Sequence, residues 1–393
     1  MINLNVFKKF FRSGSLSGIV LILCVIFSLL IANSPLGVRF ENLLASEFGN
    51  EDLGLRYSVL LWINDGLMAI FFLLIGLEIK RELVEGELST FKKASLPVIA
   101  AFGGAIVPAV IFFIFNHDKD TLNGWGIPMA TDIAFALGIL ALLGNRVPVT
   151  LKIFLAALAI VDDLIAILVI AIFYSDDIHV MNLLYAAVLL GVLFVFNRLG
   201  VKKIWMYLVP GLFIWYFVHH SGVHATIAGV LTAFTLPTTP GKEESPLEKL
   251  EHFLTNPVNF LIMPLFAIAN TNISFEDTSA DSLTNPLALG IILGLFAGKP
   301  IGIMLSSWLS VKLRLSTLPA GANWKHILGL GLLGGIGFTM SIFIALLSFS
   351  DEAHREISKI AILFASVISG VAGYFFLSIQ KNKPVKASNQ RAG

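Results

Sequence analysis

Stretches of about 20 predominantly apolar residues recur along this chain, and a helix of that length is what a hydrocarbon layer of about 30 Å requires. They fall at 14–33, 59–79, 95–116, 121–143, 150–174, 181–199, 203–219, 222–236, 254–271, 286–310, 325–349 and 357–380, the seventh and eighth being short enough to serve as half-spans. Of 393 residues 56% are hydrophobic and only 13% charged, against about 25% charged in soluble domains. The mean hydropathy is +0.84. The expected fold is therefore an all-α polytopic membrane protein of about twelve transmembrane helices, with residues 1–393 forming one integral domain embedded in a lipid bilayer. A formal net charge of +1 supplies no global field for nucleic acid or an acidic partner. The lone Cys24 excludes an intrachain disulfide and a multi-cysteine metal site, and is expected to face lipid.

The first stretch follows Lys8, Lys9 and Arg12 and so also has the outline of a secretory signal. A retained helix is favoured, because removing it would break the alternation of loop charge. With the N-terminus placed in the cytoplasm, one side of the membrane collects twenty-one of the 27 Lys and Arg residues, including Lys80, Lys92, Lys202, Lys203, Lys242, Lys312 and the tail from Lys381. The opposite side holds five, alongside acids such as Asp176, Asp177, Glu276, Asp277 and Asp281. The positive-inside pattern then puts both termini in the cytoplasm and makes the number of spans even. Residues 34–58 form the longest external loop, with a weak hairpin-turn signal at Gly49-Asn50.

Few ionisable residues remain at depth: Asp65, Asp132, Asp162, Asp163, Lys299 and the borderline His224. A charge at a helix centre costs about 2.5–3.5 kcal/mol on insertion scales, so each must meet a partner or water. Adjacent Asp162 and Asp163 project about 100° apart on a helix. One of them is then expected to meet a counter-charge and the other to face a cavity. Lys299 is the only deep cation available; an inert buried pair with one spare carboxylate is the plain alternative. Asp65 near a helix start suits the helix dipole, and His224 reads as a satisfied structural histidine.

Two stretches carry helix-weakening runs. The fourth contains Gly124-Trp125-Gly126-Ile127-Pro128 ahead of Thr131 and Asp132, and the eleventh contains Gly334-Gly335-Ile336-Gly337. Freed backbone groups at membrane depth are tolerated only where buried or lining a cavity. Glycine can also merely permit close helix packing. Helices 3–5 (about 95–174) and helices 10–12 (about 286–380) would start on opposite sides, giving inverted-topology repeats with interrupted helices 4 and 11. Were the interruptions to cross, Asp132 would neutralise positive half-helix ends and Lys299 negative ones.

In combination and order, several motifs resemble the NhaA family of sodium/proton antiporters over nearly the whole length. They are Trp62-Ile63-Asn64-Asp65-Gly66, Gly76-Leu77-Glu78-Ile79-Lys80-Arg81-Glu82, Pro128-Met129-Ala130-Thr131-Asp132, Ala159-Ile160-Val161-Asp162-Asp163-Leu164, Ser221-Gly222-Val223-His224, Gly298-Lys299-Pro300 and Gly335-Ile336-Gly337-Phe338-Thr339. The family also exemplifies inverted repeats with broken helices. The resemblance implies exchange of sodium or lithium for protons across a bacterial inner membrane by alternating access, with a role in pH and sodium homeostasis. It implies Asp163 as principal sodium and proton carboxylate, Asp162 associated with Lys299, and Asp132 and Thr131 at the helix crossing beside the interrupted backbone of Gly126, Pro128, Gly335 and Gly337. It further implies a pH-responsive entrance built from Glu78, Arg81, Glu82, Lys249 and Glu251, for which ordinary interfacial anchoring is the bland alternative. It also implies a homodimer with the 34–58 loop contributing, and no cofactor beyond the transported ions. The chain departs from many relatives at Thr255-Asn256, where a His-Pro pair is common, and at Ile165, where a glycine is.

Other classes fit less well. A Schiff-base protein would surround Lys299 with aromatic residues, and an intramembrane aspartyl protease would leave the paired breaks and Lys299 without a role. A channel is a further alternative, whereas an anion symporter calls for a surplus of cations at depth. No Walker motif or nucleotide-binding segment is present, so neither nucleotide nor enzyme chemistry is expected.

Overall fold

A computed structural model describes residues 4–175, 177–238, 244–274 and 283–380. Lys242, Asp176, Glu276, Asp277, Asp281 and the cationic tail from Lys381 lie outside the described residues. The described residues are mostly helical: α1 (Leu4–Ala32), α2 (Gly37–Ala45), a hairpin of β1 (Glu47–Asn50) and β2 (Leu55–Ser58), then α3 (Val59–Val84) and α4 (Phe91–Asn116). A 3₁₀ segment (Asp120–Met129) leads into α5 (Ile133–Leu142), followed by α6 (Val149–Phe173), α7 (Val180–Arg198), α8 (Trp205–His219) and α9 (Ile227–Thr235). The remainder is α10 (Pro246–Asn270), α11 (Pro286–Lys312), α12 (Trp324–Gly334), α13 (Phe338–Ser348) and α14 (Glu352–Ser378).

Among the described residues, seven helices are long and apolar enough to cross a membrane, or up to ten if each of three bent pairs is one span. This falls short of the twelve expected because the seventh and eighth stretches fold into short helices. The 15 residues of α8 and the nine of α9 give about 22 Å and 14 Å of helix at 1.5 Å per residue. The eighth is cut back because residues 221–226 form a turn in which Gly222 takes φ +81°, a conformation that glycine adopts without Cβ strain.

Other expectations are corrected in detail. The 34–58 segment does contain a hairpin, but Gly49-Asn50 lies in β1 and the turn occupies 51–54. The Asn50 carboxamide accepts from the Asp52 amide at 2.8 Å, an Asx turn that competes with the two-residue turn the dipeptide signals. α10 begins eight residues earlier than its apolar stretch. There Ser245 and Glu248 form a reciprocal capping box and Pro246 occupies the first turn, both helix-start signals. Cys24 is partly exposed, with one side packed against the core.

Packing follows small residues. α4 and α11 are the most extensively packed pair; a Cβ on Gly302 would come within 2.1 Å of the Gly103 carbonyl oxygen. Only glycine lets two backbones approach so closely. α1 packs against α5 and α10, and its Ser28 donates to the Ile268 carbonyl at 2.7 Å. Among the described residues three helices contain a π turn, Trp62–Leu67 in α3, Val258–Ile262 in α10 and Gly294–Gly298 in α11, each a one-residue loosening of the backbone ladder.

Candidate functional site

The site begins with two breaks. The 3₁₀ segment and α5 meet at 40° across Ala130–Asp132, and α12 and α13 meet at 47° across Gly335–Gly337. Gly126 and Pro128 therefore lie inside the 3₁₀ segment rather than at the interruption, whereas Gly335 and Gly337 flank theirs. The breaks cross and satisfy each other. The Asp132 amide donates to the Ile336 carbonyl at 2.7 Å, Thr131 Oγ1 donates to Gly334 O at 2.8 Å, and Ser341 Oγ donates to Ile127 O at 2.7 Å. Buried backbone groups need such partners. Gly335 is also required sterically, since a Cβ there would stand 2.4 Å from Leu295 O, so the packing role of glycine and the helix break coincide.

Charge is placed to suit the helix ends. Asp132 caps α5 by accepting from the Phe135 amide at 3.0 Å, and its other oxygen accepts from the Thr339 amide at 3.2 Å and from the Thr339 hydroxyl. One carboxylate thus faces the N-termini of α5 and α13, where half-helix dipoles are positive. Lys299 Nζ donates to Met129 O at the end of the 3₁₀ segment, and to Asp162 Oδ2 at 2.6 Å. Lys299, Asp132, Asp162 and Asp163 are all no more than 2% exposed.

Asp163, next along α6, turns away from this ion pair. It lines a small cavity of about 70 Å³ with Glu78 of α3, Asp132, Thr339 and Asn259. Asp163 Oδ1 is buried without a hydrogen-bond partner among the described residues. The site comprises a neutralised carboxylate–ammonium pair beside three carboxylates on one cavity, a donor set suited to a hard cation or a proton.

At the C-terminal end of α3, Arg81 bridges Glu251 of α10 at 2.9 Å and Glu82 at 2.9 Å. Glu78 belongs to the central cavity as well as to this cluster, one helical turn from Arg81 and Glu82. Lys249 is exposed and has no ion pair among the described residues.

Several partners escaped sequence reasoning. Thr339 stands out in the sequence only as part of a motif, and its hydroxyl, in the first turn of α13, donates to Asp132 rather than capping its own helix. His219 lies 3.6 Å and His224 3.8 Å from the Asp65 carboxylate, so Asp65 has side-chain neighbours besides a helix dipole. Nothing in the spacing of these three residues announces that contact.

Comparison with known proteins adds an independent line. The profile of the family described as Na+/H+ antiporter 1 matches residues 8–377. The chain is similar to Na(+)/H(+) antiporter NhaA 2 of Flavobacterium johnsoniae, 64% identical over 387 residues covering 98% of this chain and 95% of the relative. It is 50% identical to the NhaA antiporter of Flavobacterium psychrophilum over 98% of this chain and 99% of the relative. It is 48% identical to NhaA 1 of Clostridium beijerinckii over 96% of each.

Proposed function

Because this chain belongs to the NhaA family of Na+/H+ antiporters, we propose that it exchanges sodium, or lithium, for protons at the cavity shared by Asp163 and Asp132. The observation that carries this reading is the sorting of the aspartate pair, with Asp162 held by Lys299 and Asp163 left facing the cavity. A space of about 70 Å³ has room for a few waters but not for the full hydration shell of a cation. A cation entering it sheds most of its hydration shell and needs oxygen ligands in return. The Asp163 and Asp132 carboxylates and the Thr131 hydroxyl at the crossing are the proposed donors, with Lys299 and Asp132 compensating the half-helix ends. Sodium is transported cargo here.

Sodium and a proton compete for Asp163. Alternating access would come from movement of the crossed helices and their inverted repeats, about 95–174 and 286–380, against the rest of the chain. Glu78, Arg81, Glu82 and Glu251 form the proposed pH-responsive mouth; Lys249 stands at its edge. The protein is proposed to lie in the bacterial plasma membrane, to maintain pH and sodium balance, and to work as a homodimer in which residues 34–58 contribute. The exposed strand β1 supports that last point, since an open edge is a pairing surface.

Reconstituted vesicles test the exchange. With an imposed proton gradient, sodium or lithium salts should dissipate the gradient and potassium should not. Apparent sodium affinity should weaken as pH falls, by up to about tenfold per unit for each proton displaced, or ~1.4 kcal/mol. Dissipation by potassium alone or by chloride, or a sodium affinity independent of pH, would overturn the proposal. Reporter fusions test orientation. The tail after Lys381 and the Lys202-Lys203 loop should report from the cytoplasm and the Asp176-Asp177 loop from outside, and an external tail would remove the basis for inverted repeats.

A further inference from the structure

A second cavity, of about 540 Å³, lies on the other side of α3. Its walls are α3 from Val59 to Leu73, α8 from Leu208 to Trp215, and α9 from Ala228 to Thr232. The size is that of a ligand pocket, ~300–1,000 Å³, and no charged residue lines it. Leu212 and Ile70, both exposed, stand at its open side, facing where lipid chains would lie.

Two hydrogen-bond donors break this apolar lining. Thr232 is 3% exposed, and its hydroxyl, against Gly211, is buried without a partner among the described residues. The indole Nε1 of Trp215, one turn along α8 from Gly211, is also buried and unpartnered. Unmet buried donors are costly, each by about 1–3 kcal/mol. Indole nitrogen can only donate, so the missing partner at Trp215 is an acceptor. Trp215 stacks on Trp62 at 6.1 Å and sits one turn from the end of α8 at His219. Paired tryptophans near a helix end mark the membrane interface, the level at which lipid ester carbonyls reside. From Trp215 to Leu208 the α8 wall runs about 10 Å inward.

We propose that this cavity holds one acyl chain of a bilayer phospholipid, with an ester carbonyl accepting from Trp215 Nε1 or Thr232 Oγ1 and the headgroup left outside. The chain packs against Gly66, Ala69, Ile70 and Leu73 of α3, while Phe71, Leu74, Ile75 and Glu78 of the same helix face the ion cavity. An acyl chain in this slot therefore biases the position of the helix that carries Glu78. That consequence rests on the transport reading above; the binding itself does not.

The test is photolabelling of the purified full-length chain in mixed micelles, using phosphatidylglycerol with a diazirine in one ester-linked acyl chain, followed by peptide mapping. Label should concentrate on the 208–215 and 228–232 segments. Leu212→Trp, which narrows an exposed mouth, should reduce it several-fold. Trp215→Phe with Thr232→Val removes both donors with some loss of ring volume, and should lower labelling by about fivefold; an ether-linked analogue should label the wild-type chain as weakly as the double variant. Uniform labelling of all lipid-facing helices, unchanged labelling in the double variant, or cross-links joining two copies of the chain at this groove would each overturn the proposal. Since labelling is read without ion flux, an inactive but labelled protein would count against the transport reading alone.

Discussion

Asp163→Asn abolishes sodium-dependent proton movement while leaving the protein folded. The carboxylate faces the ion cavity and has one oxygen buried without a protein partner. The amide preserves its volume and loses only the capacity to ionise, bind a cation through charge and carry a proton. No network collapses on substitution, because the neighbouring ion pair runs through Asp162 and Lys299. Flux in vesicles should fall to the protein-free background, with a monodisperse size-exclusion peak and a melting temperature close to wild type. Normal exchange by a well-folded Asp163→Asn protein would remove Asp163 from the transport site.

Lys299→Ala has its largest effect on stability. Lys299 is fully buried and donates both to Asp162 and to the carbonyl that ends the 3₁₀ segment. Removing it leaves a carboxylate without its counter-charge and a helix end without its donor. Breaking one side of a buried pair costs about 3–5 kcal/mol. Thermal unfolding in detergent should shift down markedly. Adding Asp162→Asn to the Lys299→Ala background should recover much of the loss, because the orphaned charge goes with it. Ion exchange is the less affected property, since Asp163 is intact. A Lys299→Ala protein that melts like wild type would show that the pair contributes nothing to holding the crossing together.

The outlines of this molecule are legible in its sequence because lipid imposes a severe rule on charge. A carboxylate or ammonium deep in an apolar stretch stands out against its cost, so Asp132, Asp162, Asp163 and Lys299 could be named before any contact was known. The two breaks were legible for a related reason, since glycine and proline weaken a helix wherever they cluster. The position of the second was legible as well, since Gly335 and Gly337 flank it, but that of the first was not. Pro128 sits within a 3₁₀ segment and the interruption falls at Ala130–Asp132, because the Asp132 amide and the Thr131 hydroxyl find their acceptors on Ile336 and Gly334 and so decide where the ladder opens. Those partners are carbonyls, which every residue has, so composition cannot reveal them. The same holds for the contact between Asp65 and His219, made by two helices far apart in sequence. The short α8 and α9 show the converse: an apolar run states which solvent a segment prefers, and the turn at 221–226 decides how much of it becomes helix.

The π turn at Gly294–Gly298 immediately precedes Lys299. It adds one residue to a single turn and so rotates everything after it by roughly 100° relative to an uninterrupted α-helix. The ammonium reaches Asp162 in that rotated frame. Deleting one residue of the turn would let it close into ordinary α-helix with Lys299 still pointing as it does now, whereas deleting one from the regular turns before it, Pro286–Leu293, would swing the lysine by roughly 100° toward a different neighbour. For this helix, then, length is a phase: the count of residues through its regular turns sets the direction in which the lysine's charge points, and the π turn is the place where that count can give up a residue.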